Sequence, residues 1–173
     1  MNKYTGEYRQ IVNELIKRSF PSLKNRKILI LEINHPIYWW SWAFAFCFFK
    51  MNMIGVSQRT RKMDLISKGG LFVHELCHIE NFRKNNRRHG TFLIYRYLKL
   101  LFNKSYVAQN ERQTDIESIK KGYGKEILHL KIFVLKKESQ KMQERRKKMG
   151  YLIPEQIKQY MKKFKNQRNL KIK

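Results

Sequence analysis

The chain has 173 residues, with 38 Lys and Arg against 13 Asp and Glu, for a formal net charge of +25. This length predicts one domain, and 42% hydrophobic residues are enough for a modest core. Two cysteines, Cys47 and Cys77, exclude a disulfide framework.

The first residues lack the apolar run of a signal peptide, so the default expectation is a cytoplasmic protein. Residues 5–19 predict an amphipathic helix, because Tyr8, Ile11, Val12, Leu15 and Ile16 recur at helical spacing before Pro21. Residues 27–34 are β-like, closed by Pro36. Residues 37–49 are the most apolar stretch. A transmembrane helix needs about 20 apolar residues, and Lys50 stops this run short. Its aromatics suit strands better, so strands are predicted near 41–48 and 51–57, with a turn near Lys50. A polar loop follows from Gln58 to Asp64.

A helix is predicted from near Asp64–Ser67 to about Phe82, and it carries His74-Glu75-Leu76-Cys77-His78. Four residues apart on a helix, His74 and His78 lie on one face, one turn apart. Two imidazoles so placed grip one Zn2+, and Glu75 beside them suits a general base that deprotonates a water at the metal. Leu71, Val73, Leu76, Ile79 and Phe82 suit a helix buried on one side. The competing reading is a buried helix with two satisfied core histidines. That reading leaves costly unpaired polar groups. Cys77 lies near the metal face, but three ligands from one helix would crowd the ion, so a small buried filler is expected.

A catalytic zinc needs a third protein ligand and one open position. A third His six residues after His78, with a Gly midway, is excluded, since Lys84 and Asn81 occupy those positions. Glu111 and Asp115 lie one turn apart on a helix predicted at about 106–121. That spacing lets Glu111 bind the metal while Asp115 accepts the spare N–H of a ligand histidine. Without the histidine motif, the same pair reads as a solvated helix face.

Arg83–Gly90 reads as a basic connection in which His89 is a loop residue, and 91–102 as a helix. Gly122 suits the end of the Glu111 helix. From Gly124 to Gly150 no Gly or Pro intervenes; the first half is apolar and the second nearly all charged. A last helix is predicted from Pro154, at its first position, with residues 166–173 disordered.

The His-Glu-x-x-His and Glu-x-x-x-Asp pair resembles the gluzincins, zinc metallopeptidases with a Glu third ligand. The short chain is most similar to the minimal single-domain members, the minigluzincins. The resemblance covers about residues 66–127, including Gly122-Tyr123-Gly124-Lys125-Glu126-Ile127-Leu128. It is weaker over the strands and faint at Tyr151-Leu152-Ile153-Pro154-Glu155-Gln156-Ile157. It implies a metal set of His74, His78 and Glu111, Glu75 as general base and acid, and Asp115 behind the ligands. The cofactor is then Zn2+ and the substrate a peptide or protein. For the transition-state stabiliser, Tyr123, His129 and Tyr151 are all candidates. The resemblance also implies that an edge strand binds extended substrate, for which Trp42–Phe46 is the candidate. Some minimal gluzincins resemble zymogens, and here the tail after Gly150 would cover the cleft with Tyr151 or Glu155 near the metal.

The expected fold is α+β. A small, mostly antiparallel sheet packs on the active-site helix and the second zinc-ligand helix, with a helical C-terminal extension. Residues 1–150 would be the metallopeptidase domain and 151–173 a basic helical tail. The charge excess is denser over 120–173 and favours acidic partners such as nucleic acid or an anionic membrane surface. A Lys-, Asn- and Ile-rich composition also accounts for it without any binding role. The alternative function is therefore a basic nucleic-acid-binding or membrane-surface protein whose zinc site is not proteolytic.

Overall fold

The computed structural model describes residues 3–33, 42–48, 51–88 and 103–170, and among these it is α+β, with six α-helices and a three-stranded sheet. The predicted turn at Lys50, residues 37–41 of the aromatic run, the loop histidine His89 and the helix at 91–102 lie outside the described residues. No described helix is long and apolar enough to cross a membrane.

Helix α1 (Lys3–Ser19) buries Tyr8, Val12, Leu15 and Ile16, the stripe expected from its spacing. Each such side chain is worth about 1.5–3 kcal/mol on burial. Pro21 then opens a short 3-10 turn. Strands β1 (Ile28–Ile33), β2 (Ala43–Phe48) and β3 (Met51–Ser57) follow.

The sheet order is β1-β3-β2. The β2–β3 pair is antiparallel, with Ala45 opposite Ile54, and the β1–β3 pair is parallel, with Ile30 opposite Ile54. The sheet is thus mixed. The second arm of the hairpin takes the central place, and Ile54 and Val56 are fully buried. A parallel pairing needs a crossover, which the chain between Ile33 and Met51 supplies. Strand β2 is an outer strand among the described residues.

Helix α2 (Leu65–Arg88) begins on an N-cap: Asp64 accepts from the Ser67 N–H (2.8 Å) and the Ser67 hydroxyl (2.7 Å). It runs past Phe82, so the first part of the expected basic connection is helical. Arg83 anchors this extension on Asn52 of β3, donating from Nε at 2.8 Å. The helix is buried nearly all round from Gly70 to Cys77 rather than on one side. The reason is that α1, β2 and the next two helices pack against it.

Helix α3 (Lys104–Lys120) is capped by Asn103, whose side chain accepts from the Tyr106 N–H. It ends at Gly122, whose φ of 101° allows the Gly122 and Tyr123 N–H groups to return to Ile119 and Ser118 carbonyls. Helix α4 (Gly124–Lys137) crosses α2 closely, since a Cβ at Gly70 would run into the Glu126 carbonyl. Helix α5 (Gln140–Met149) is separate, restarting at Ser139, and Gly150 closes it in the left-handed conformation (φ 90°). Helix α6 (Pro154–Leu170) starts at Pro154 and stays helical into the segment expected to be disordered. Leu152 and Ile157 form a second small core with Ile119 and Ile127.

Candidate metal centre

Helix α2 presents His74 and His78 on one face, and α3 presents Glu111 and Asp115 toward them. His74 Nε2 lies 3.0 Å from His78 Nε2 and 3.2 Å from Glu111 Oε2, and His78 Nε2 lies 3.0 Å from Glu111 Oε1. A tetrahedral ion with bonds of ~2.0–2.1 Å holds its ligand atoms about 3.3 Å apart. The three side chains therefore form a group that can hold one metal ion.

Both imidazoles turn Nε2 toward Glu111. His74 Nδ1–H donates to Asp115 Oδ1 at 2.8 Å, so Nε2 is the nitrogen that faces Glu111. His78 Nδ1 lies 3.2 Å from Thr114 Oγ1 and 3.4 Å from Asn110 Nδ2, and its Nε2 again faces Glu111. Asp115 is fully buried, and its second oxygen lies 2.7 Å from Lys131 Nζ of α4.

The charges reinforce one another. Burial alone would lower His74, but the Glu111 and Asp115 carboxylates outweigh it and raise its pKa to about 10. Burial pushes Glu111 up, while both imidazoles pull it down more strongly, to well below the usual carboxylate range. Two anionic side chains thus hold positive charge at this point, a proton in their own company or a cation in its place. Burial raises Glu75 from its ordinary value; the Ala45 N–H of β2 donates to it, and its Oε2 is buried without a hydrogen-bond partner among the described residues. That orphaned oxygen is a second sign that the centre is built for a guest.

The centre opens into a cavity of about 370 Å3. Trp42, Ala43, Phe44 and Ala45 of the outer-strand segment form one side of its lining, and Leu130, Lys131 and Val134 of α4 form another. Tyr151, Leu152 and Ile153 also border it, because the turn at Gly150 returns the chain there.

Of the three stabiliser candidates, one borders this cavity. Tyr123 hydrogen-bonds Ser19 at 2.7 Å and is not among the lining residues, and His129 is exposed on α4. The Tyr151 ring lies under the Arg146 guanidinium, 5.2 Å from centroid to Cζ. Burial, then the Glu111 charge, pushes its phenol up to about 12. Glu155 is exposed and outside the lining. Cys77 is the expected filler: burial raises its thiol to about 11, and Ser118 donates to its sulfur at 3.3 Å.

The sequence reading missed Thr114, Asn110 and Lys131. Asn110, Glu111, Thr114, Asp115 and Ser118 recur at helical spacing as one polar stripe, which was a usable signal for the first two. Lys131 had none. No protein-family model, no curated protein and no solved structure matches this chain.

Proposed function

We propose that this chain is a gluzincin-type zinc metallopeptidase that hydrolyses peptide bonds. One observation carries the reading: His74, His78 and Glu111 converge within 3.2 Å of one another, with Glu75 beside them and strand β2 along the same cavity. Two neutral imidazole nitrogens and a carboxylate oxygen are a donor set that suits Zn2+. When bound, the ion supplies Lewis acidity that polarises a carbonyl and acidifies water.

The protein's own groups do the rest. Asp115 holds the His74 imidazole with Nε2 free for the metal, and Thr114 and Asn110 orient the His78 ring through its Nδ1. Glu75, raised by burial, takes a proton from the attacking water and delivers it to the leaving amine. The β2 segment lines the cavity beside the metal centre, where an extended peptide is held through its backbone and the surrounding pocket chooses its side chains. Tyr151, protonated across the physiological range, donates a hydrogen bond to the oxygen on which charge develops.

Metal analysis paired with a peptide-library digest tests this, wild type against Glu75→Gln. Both proteins should carry one equivalent of zinc. Only the wild type should cut peptides, by a margin of about 10²–10⁴. Equal hydrolysis by purified Glu75→Gln overturns the assignment.

A further inference from the structure

The charges around the cavity are distributed unevenly. The only carboxylates among the described lining residues are Glu75 and Glu111, both committed to the metal centre, whereas Lys131, Arg146 and Lys147 bring three cations from α4 and α5. Trp42, Ala43 and Phe44, from the β2 side, are neutral and apolar. Arg146 is fixed in place by Glu138, 2.7 Å from its Nε, and by the Tyr151 ring. Lys131 has three donors, of which Asp115 takes one. Lys147 is exposed and borders the same cavity. A bound dication would add positive charge to this side.

A low-dielectric cleft in which one sign of charge predominates focuses its field and raises the local concentration of the opposite sign. A cationic side chain brought here would meet like charge and, outside the metal centre, no carboxylate among the described lining residues. An acidic one would find cationic donors, with apolar surface next to them for a neighbouring side chain.

We propose that the cleft selects acidic peptides: segments carrying Asp or Glu within a few residues of the scissile bond, next to a large apolar residue. This rests on the peptidase reading and deepens it. Arg146 and Lys147 are the specificity-determining side chains, and Lys131 lies deeper on the same side.

The test uses matched fluorescent peptides that differ only in Glu or Lys near an apolar residue. Their binding is measured on zinc-loaded Glu75→Gln protein and their cleavage on wild type, each at low and moderate salt. The acidic peptide should bind and be cut about tenfold better at low salt, and the margin should shrink as salt rises. Lys147→Glu should erase most of the margin. Lys163→Glu, the same charge change on exposed α6 away from the cavity, should leave it in place. Equal binding of the two peptides, or an equal effect of the two charge reversals, overturns the acidic-cleft inference and leaves the peptidase reading standing. Selective binding without any cleavage by the wild type does the reverse.

Discussion

Lys131 Nζ lies 2.7 Å from Asp115 Oδ2, while Asp115 Oδ1 takes the His74 Nδ1–H at 2.8 Å. One fully buried carboxylate thus joins an ammonium from α4 to a candidate metal ligand on α2. An unpaired charge there would be expensive, and removing one partner of a buried pair costs about 3–5 kcal/mol. Lysine is what allows Asp115 to remain an anion and to hold the imidazole in its ligand tautomer.

Replacing Lys131 with Met should therefore lower stability by about 3 kcal/mol and weaken zinc binding by about 10–100-fold. Lys131→Arg keeps the charge and should recover most of the affinity. Chemical denaturation of the metal-free protein and competitive zinc titration read the two effects separately. Unchanged zinc affinity in Lys131→Met would show that the ammonium does not act on His74 through Asp115.

The two carboxylates of α3 should behave differently. Glu111→Ala removes a ligand, so its zinc affinity should fall by more than the roughly 10–100-fold expected of Asp115→Ala, which removes only a group behind the ligand. Binding to the wild type should also weaken as pH falls. The proton on His74, held with a pKa near 10 by its two carboxylates, must leave before Nε2 can bind. Titrations at several pH values check both points. Normal zinc binding by Glu111→Ala would assign the third ligand elsewhere.

Much of this centre was legible from residue types alone. The four-residue spacings of His74 with His78 and of Glu111 with Asp115 survive folding, because each pair lies on a single helix and a helix fixes its own geometry. Among the described residues, Ala43–Phe48 is an outer strand of the sheet. What was not legible depends on elements meeting. Lys131 reaches Asp115 because Gly70 lets α4 lie against α2, and nothing in the local sequence announces that crossing. The parallel β1–β3 pairing is likewise a matter of which strand takes the middle, where Ile54 and Val56 are buried, and strand propensity says nothing about order. Tyr151 separates from Tyr123 only once the left-handed turn at Gly150 is seen.

The N-cap of α2 gives a stability prediction with a defined sign. Partial burial pushes the Asp64 carboxyl up, but the Ser67 N–H and hydroxyl outweigh this and hold it below its ordinary value. A group whose pKa is lower in the folded state stabilises above its unfolded value of about 3.9 and loses that contribution as pH falls through the folded value. Asp64→Ala should cost about 1 kcal/mol at neutral pH, with the difference from wild type closing in strong acid. Parallel denaturation curves at pH 7 and near pH 2 measure it. A gap that persists undiminished at low pH would mean that the loss is not electrostatic.

Tyr151 decides between a working and an obstructed cleft. It borders the cavity from the segment after Gly150, and that segment also buries Leu152 and Ile157 in the second core. Cutting the chain at residue 150 would therefore remove core as well as wall, and lost activity would have two explanations. Substitution of the phenol alone is cleaner. Tyr151→Phe keeps the ring under Arg146 and removes only the hydroxyl. If that hydroxyl stabilises the developing oxyanion, kcat should fall by about 10²–10³ with little change in KM or in zinc affinity, as expected for an interaction made only in the transition state. A rise in kcat would instead identify the segment as a cover over the metal centre, and the chain as a latent enzyme.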